Sequence, residues 1–231
     1  MVEKKPNFIV VGAMKAATTS LYTYLKQHPE IFMTKVKEPM FFNNFKQENK
    51  YKILGKKSKK PTTLKEYLAM FDDVKNEKAI GEASPAYIYN PQAPQLIKEH
   101  LSNVKIIAIL RQPTDRAYSN YLHTKRADRE DAATFQEAIE LENKRIKDNW
   151  SPLYHYIEKG YYSVQLKRYF DLFSEKNIKI YLFEDVVKNT KETLKDIFKF
   201  LEVDENVEID TSKKANVSGN PSGLMGWVLK K

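Results

Sequence analysis

The chain has 231 residues, with 39 Lys and Arg against 30 Asp and Glu, and a formal charge of +9. A chain this long buries a real core without disulfide or metal staples, and 42% hydrophobic with 12% aromatic residues excludes a disordered or collagen-like polymer. The absence of cysteine removes Cys-based zinc sites, thiol nucleophiles and disulfide frameworks together, and His28, His100, His123 and His155 lack metal-ligand spacing.

Lys4 and Lys5 ahead of residues 8–14 faintly imitate a signal peptide, but Lys15 interrupts the run, so residues 7–11 read as a buried first strand. A helix is expected over residues 18–27, with Leu21, Tyr22 and Leu25 at helical spacing. The lysine-bearing segment 45–61 reads as a mobile surface insertion, and residues 80–83 as a further strand before the Pro-rich turn at 90–94. Residues 105–110 form a second buried strand, after which Pro113, Thr114 and Asp115 start a helix that runs to about Arg126. Residues 134–147 and 161–173 are expected to be helical, 178–183 a strand, and 190–201 an amphipathic helix with Leu194, Ile197, Phe198 and Leu201 on one face. Strand–helix alternation predicts an α/β fold, a parallel sheet flanked by helices in a single domain over residues 1–231. The apolar runs 8–11 and 106–110 fall far short of the roughly 20 residues that span a bilayer, and a cytoplasmic location is expected. The positive balance suits an anionic ligand, and equally a solvated lysine-rich surface.

Two strand ends carry chemistry. The first strand runs through Gly12, Ala13, Met14, Lys15, Ala16, Ala17, Thr18, Thr19 and Ser20 straight into a helix. Such a turn aims unpaired backbone N–H groups at one spot, backed by the helix dipole. Gly12 permits a tight turn, Ala16 and Ala17 keep side chains away, Lys15 adds charge, and Thr18 and Thr19 add hydroxyls: a phosphate cradle. The same Thr-Thr-Ser run also suits a plain helix cap. The pattern is not G-x-x-x-x-G-K-[ST], because no second glycine precedes the lysine. The strand 105–110 ends in Arg111 where a P-loop NTPase would place a Mg²⁺-binding aspartate. Ser119, eight residues after Arg111, is expected to swing back toward the strand end, so that both grip one further phosphate; an Arg–carboxylate pair and a surface serine are the plainer alternative.

Together these segments resemble the sulfotransferases that use 3′-phosphoadenosine 5′-phosphosulfate (PAPS). Residues 8–29 look like that family's 5′-phosphosulfate loop and 105–126 like its 3′-phosphate motif, while 37–42 (KEPMFF), 81–87 (GEASPAY), 160–162 and 182–185 are similar to other family segments. The heparan-sulfate-type and related bacterial enzymes are more similar than the cytosolic steroid and phenol enzymes. The resemblance implies a P-loop-like fold and sulfonate transfer to an acceptor hydroxyl or amine, releasing PAP, with no metal required. By position it gives Lys15, Ala16, Ala17, Thr18, Thr19 and Ser20 to the 5′-phosphosulfate and Arg111 and Ser119 to the 3′-phosphate. It sets Tyr162 near the nucleotide, Asn216, Ser218 and Gly219 in a loop over it, and Glu38, Met40, Phe41, Ser84, Tyr87 and His123 at the acceptor cleft.

In-line transfer needs a cation to meet charge on the leaving phosphate, here Lys15, and a base for the acceptor proton. Glu38 is the first choice, its pKa raised by partial burial beside Met40, Phe41 and Phe42; its pairing with Lys35 or Lys37 on a surface turn is the alternative. His123, one helical turn after Ser119, is the second choice, and His28 is assigned to packing or capping. Met40 stands where relatives often have histidine and Ala83 where heparan-sulfate enzymes carry lysine, and the family's C-terminal part is expected to be missing after residue 231. Oligomeric state is not specified. The acceptor is expected to be a small molecule or carbohydrate, not nucleic acid; a catalytically impaired nucleotide-binding relative and a small-molecule kinase are the competing readings.

Overall fold

A computed structural model of the chain describes residues 4–45, 60–101 and 103–212. The expected insertion is described only at its ends, and Asn216, Ser218 and Gly219 lie outside the described residues.

Five strands, β1 (Phe8–Gly12), β2 (Ile31–Met33), β3 (Ala79–Ala83), β4 (Lys105–Leu110) and β5 (Ile178–Leu182), form one sheet in the order β2-β3-β1-β4-β5. Every pairing is parallel, with Phe8 opposite both Gly81 and Lys105, and Ile106 opposite Ile178. The strands expected from sequence are all present, and Ile31–Met33, too short for a pattern to show, is the addition. β1 and β3 are buried along their whole length, as parallel strands covered on both faces require. Ten helices accompany them among the described residues: α1 (Thr18–Leu25), α2 (Phe41–Asn44), α3 (Leu64–Leu68), α4 (Ala93–His100), α5 (Pro113–Arg126), α6 (Phe135–Glu140), α7 (Glu142–Lys147), α8 (Tyr162–Phe170), α9 (Phe183–Lys188) and α10 (Thr190–Leu201). The single helix expected over 134–147 is two, meeting at Leu141, and the helix expected to reach 173 stops at Phe170. No described helix is long and apolar enough to cross a membrane.

Local chemistry sets the ends that matter. α5 starts at Pro113, whose missing N–H costs nothing in a first turn, and the Gln112 side chain accepts from Asp115 N–H (2.9 Å). Leu194, Ile197, Phe198 and Leu201 of α10 are all buried, as the amphipathic pattern requires. The His28 ring lies 4.6 Å from that of Phe198, while its nitrogens meet Glu30 N–H (3.1 Å) and the Asp204 carbonyl (2.8 Å), so His28 packs and caps as expected.

The sheet order reverses direction at β1: the chain builds β2 and β3 on one side, then β4 and β5 on the other. Ligands of open α/β sheets bind outside the strand carboxyl ends at such a switch point. Here the switch sets the loop after β1 beside the loop after β4, and Ala13 N–H donates to the Ile109 carbonyl across it (2.7 Å).

Gly12 is needed for a reason other than the tight turn expected of it. A Cβ there would lie 2.4 Å from Ile88 Cγ2 and 2.7 Å from Ile88 Cβ, and the Ile88 N–H is fixed to the Val11 carbonyl (2.9 Å). Gly12→Ala should therefore destabilise the fold by about 1–3 kcal/mol through overpacking, read by urea unfolding; an unchanged midpoint would show that Ile88 yields freely.

Candidate active site

The loop from β1 to α1 is built as an anion cradle. Lys15 (φ 67°) and Ala17 (φ 59°) both take left-handed conformations, and alternation of this kind turns successive N–H groups toward one side. Ala17 is the N-cap residue and contributes no side-chain hydrogen bond. Thr18, Thr19 and Ser20 thus stand inside the first turn and do not cap it, contrary to the plain-cap alternative. Thr18 is buried, Ala16 is wholly buried, and Thr19 and Ser20 remain partly accessible.

Arg111 leaves the end of β4 and crosses to this loop, its Nη1 donating to the Lys15 carbonyl (3.2 Å). Its guanidinium lies 4.6 Å from the centre of the Phe183 ring, and its own carbonyl accepts from the Tyr162 hydroxyl (3.0 Å). Arg111 is held from three sides, yet its buried Nε has no hydrogen-bond partner. On α5 the buried Ser119 Oγ likewise has none. Buried polar atoms are nearly always paired; these two atoms, on the residues assigned to a 3′-phosphate, are among eight unpaired buried side-chain atoms of the described residues. Tyr162 stands at this strand end through its bond to the Arg111 carbonyl.

Glu38 follows β2 on a turn in which Glu38 (φ 59°) and Met40 (φ 54°) are also left-handed. Its N–H donates to the Ala83 carbonyl (3.1 Å) and its carbonyl accepts from Lys60 Nζ (2.6 Å). The apolar surroundings expected for its carboxylate are not found: it ion-pairs with Lys37, while Phe41 and Phe42 turn fully inward, Phe41 stacking on Tyr67 at 4.5 Å. The alternative pairing with Lys37 is the one observed, and Lys35 pairs with Asp73 (2.6 Å).

Lys15, Glu38 and His123 feel one another's charge. Burial lowers the pKa of Lys15, and Arg126 and Arg111 lower it further while Glu38 opposes them. His123 is solvent-exposed on α5, and partial desolvation lowers its pKa, helped by Lys15 and Arg126 and opposed by Glu38. The ring is therefore neutral near pH 7 and free to accept a proton. The sequence points to Lys37 only as a surface partner of Glu38 and to Lys60 only as part of the lysine-bearing insertion, and gives Arg126 no role; all three act on the charge of Lys15 or contact Glu38.

Three residues expected at the acceptor surface stand beneath it. Phe41, Ser84 and Tyr87 are each 0% exposed, whereas Glu38 and Met40 are partly accessible and His123 is exposed. Ser84 and Tyr87 serve a residue that sequence reasoning missed: Glu82 on β3, fully buried, whose carboxylate accepts from Ser84 Oγ (2.6 Å), Tyr87 OH (2.8 Å) and Tyr67 OH (3.2 Å). A glutamate inside an otherwise apolar strand was the available signal.

Residues 5–226 match the sulfotransferase domain model, and the chain belongs to that family. A sulfotransferase of Alicyclobacillus acidocaldarius is 35% identical and superposes with a TM-score of 0.85, covering 93% of this chain and 87% of that one. The mouse sulfotransferase SULT7A1 complexed with PAP shares the fold (17% identity, TM-score 0.55, 88% of this chain and 60% of that one). The mouse bifunctional heparan sulfate N-deacetylase/N-sulfotransferase 4 is 28% identical over 208 residues, 86% of this chain and 22% of that enzyme. The chain thus spans about a fifth of the length of the curated relatives it first matches.

Two measurements check this geometry. Because Lys15 is the first charged group acting on His123, Lys15→Ala should raise the His123 pKa toward its ordinary value in an NMR titration; no movement would separate the two side chains. Glu82 is pushed up to about 7 by burial, with Ser84, Tyr87 and Tyr67 opposing and Glu38 adding; Lys60 and Tyr169 also feel its charge. From the ordinary carboxylate range up to about pH 7 the folded state keeps a proton that the unfolded chain has released. The stability Glu82 contributes is thus complete at low pH and lost as pH rises through about 7, amounting to at most about 3 kcal/mol. Glu82→Gln should remove that dependence, so unfolding free energies of variant and parent should converge or cross between pH 5 and 8; parallel curves would refute it.

Proposed function

We propose that this chain transfers a sulfonate group from PAPS to a hydroxyl or amine of a carbohydrate or small-molecule acceptor. The observation that carries the reading is the Arg111 bond to the Lys15 carbonyl, beside a helix start with no side-chain cap at the switch point of a parallel sheet, with Arg111 Nε and Ser119 Oγ left without partners. Two anion sites at neighbouring strand ends suit one nucleotide phosphorylated at both ends of its ribose. The family match and the PAP complex of SULT7A1 support the same donor, and the heparan sulfate relative supports a carbohydrate acceptor.

When bound, PAPS supplies a sulfonate and a phosphate leaving group. The residues of the chain divide the remaining work. Lys15, Thr18, Thr19 and Ser20, with the N–H groups of residues 17 and 18, hold the 5′ end. Lys15 is crowded by Arg126 and Arg111, so an anion in the cradle relieves repulsion and the amine meets negative charge as it develops. Arg111 and Ser119 hold the 3′-phosphate, with Phe183 and Tyr162 keeping the guanidinium in place. Glu38 takes the acceptor proton, aimed by a turn fixed at Ala83 and Lys60, and Lys37 must release its carboxylate for this to occur. His123, neutral at pH 7, is the second acceptor for that proton.

PAP in large excess over its Kd should stabilise the protein by about 3 kcal/mol at a hundredfold excess, seen as a melting shift larger than that from ATP. Arg111→Ala and Ser119→Ala should each weaken PAP by roughly 10- to 100-fold in calorimetry. Equal shifts from PAP and ATP would overturn the donor assignment. In a screen of carbohydrate and small-molecule acceptors with labelled PAPS, Lys15→Ala should lose turnover while keeping its fold. The larger loss between Glu38→Gln and His123→Ala then identifies the base; if neither loses turnover, both assignments fall.

A further inference from the structure

Beneath the acceptor cleft lies a relay that no step of the transfer uses. Glu82 is 0% exposed and its carboxylate accepts three hydroxyl protons, from Ser84 (2.6 Å), Tyr87 (2.8 Å) and Tyr67 (3.2 Å). Above about pH 7 Glu82 is ionised and acceptor-only, so each hydroxyl then spends its single proton inward and turns its lone pairs outward. Two of those lone-pair faces meet the turn that carries Glu38: Met40 N–H donates to Ser84 Oγ (3.0 Å) and Phe42 N–H to Tyr87 OH (3.4 Å). The third hydroxyl, that of Tyr67, contacts Glu82 without touching the turn's backbone.

The turn needs such support. Glu38 and Met40 both have φ between 50° and 60° without being glycine, a conformation that costs of order 1 kcal/mol or more at each residue unless the surroundings impose it. The Glu38 N–H bond to the Ala83 carbonyl (3.1 Å) fixes one end. Ser84 and Tyr87, polarised by Glu82, fix the other.

We propose that Glu82 is a positioning residue, which orients Ser84 and Tyr87 so that they hold the Glu38–Met40 turn and thereby aim the Glu38 carboxylate into the cleft. The role rests on Glu38 as the proton acceptor proposed above. It assigns Ser84 and Tyr87, which have no accessible surface, to support of the turn in place of contact with the acceptor.

Ser84→Ala deletes one link of the relay, Ser84→Thr restores its hydroxyl, and Tyr67→Phe removes the hydroxyl that does not reach the turn. Amide hydrogen exchange on the full chain, without any nucleotide, reads the turn directly: Met40 N–H should exchange roughly tenfold faster in Ser84→Ala and Glu82→Gln, and as in the parent in Ser84→Thr and Tyr67→Phe. With the acceptor found by screening, kcat should fall roughly tenfold or more in the first two variants, with KM for PAPS and PAP affinity within about twofold of the parent, and return in Ser84→Thr. Unchanged exchange and kcat in Ser84→Ala would overturn the proposal, as would loss of PAP affinity alongside kcat, which marks general collapse. Should Glu82→Gln fail to fold, the serine pair still decides. If the parent does not bind PAP, the donor reading fails, whereas amide exchange still reports whether Glu82 holds the turn.

Discussion

The hydrogen bond from Ala13 N–H to the Ile109 carbonyl (2.7 Å) ties the first residue after β1 to the end of β4, just past the point where the β1–β4 register shifts between Val10 and Gly12. It exists because β1 lies at the centre of a parallel sheet whose order reverses there. Parallel strands release their chains at the same edge, so reversal leaves the exits of β1 and β4 side by side with no crossover between them. Lys15 and Arg111 are carried into the same small volume by that topology, and the Arg111 bond to the Lys15 carbonyl follows from it. Burial lowers the Lys15 pKa, and repulsion from Arg126 and then Arg111 lowers it further.

The framework was legible where side-chain period and burial agree. β1, β4 and the amphipathic face of α10 consist of residues whose apolarity alone dictates a covered position. The candidate residues Lys15 and Arg111 stood out for a different reason: each closely follows a strand end, where short-range geometry aims side chains and N–H groups, while Ser119 lies midway along α5. β2, three residues long, has too few positions for any period, and the division at Leu141 leaves helical dihedrals in place, so no breaker residue marks it.

The cleft was harder to read than the donor loops, since its shape comes from long-range packing. The sequence KEPMFF suggests apolar side chains around Glu38, yet alternate residues of a left-handed turn face opposite ways. Phe41 and Phe42 enter the core against Tyr67 and Tyr87, and the carboxylate is left facing Lys37 and Lys60. The tyrosine partners of Glu82 come from α3 and from the turn after β3, so its carboxylate is satisfied by groups 5 and 15 residues away. Such a network leaves no local signature beyond the glutamate itself.

A second buried polar group lies under the donor loop, on the opposite side from Glu82. Arg116 and Lys159 are buried there beside Met14. Arg116 donates to the Tyr156 carbonyl, and the Lys159 amine rests against Met14 Sδ (3.4 Å). Burial and Arg116 drive the Lys159 pKa well below its ordinary value, with Glu142 opposing. Glu142 is itself committed to three backbone N–H groups, of Tyr156, Ile157 and Glu158, at 2.8–2.9 Å, so it cannot approach either cation as a full partner. Removing a buried partner commonly costs more than the interaction contributes, so this group is fixed in position once formed. The donor loop consequently rests on a polar floor that resists rearrangement, and the Glu38 turn on another. The left-handed residues of both segments, Lys15 and Ala17 in one and Glu38 and Met40 in the other, thus lie above buried polar groups; the Glu82 carboxylate is hydrogen-bonded by three hydroxyls, whereas Arg116 Nε and Nη1 stay unpaired.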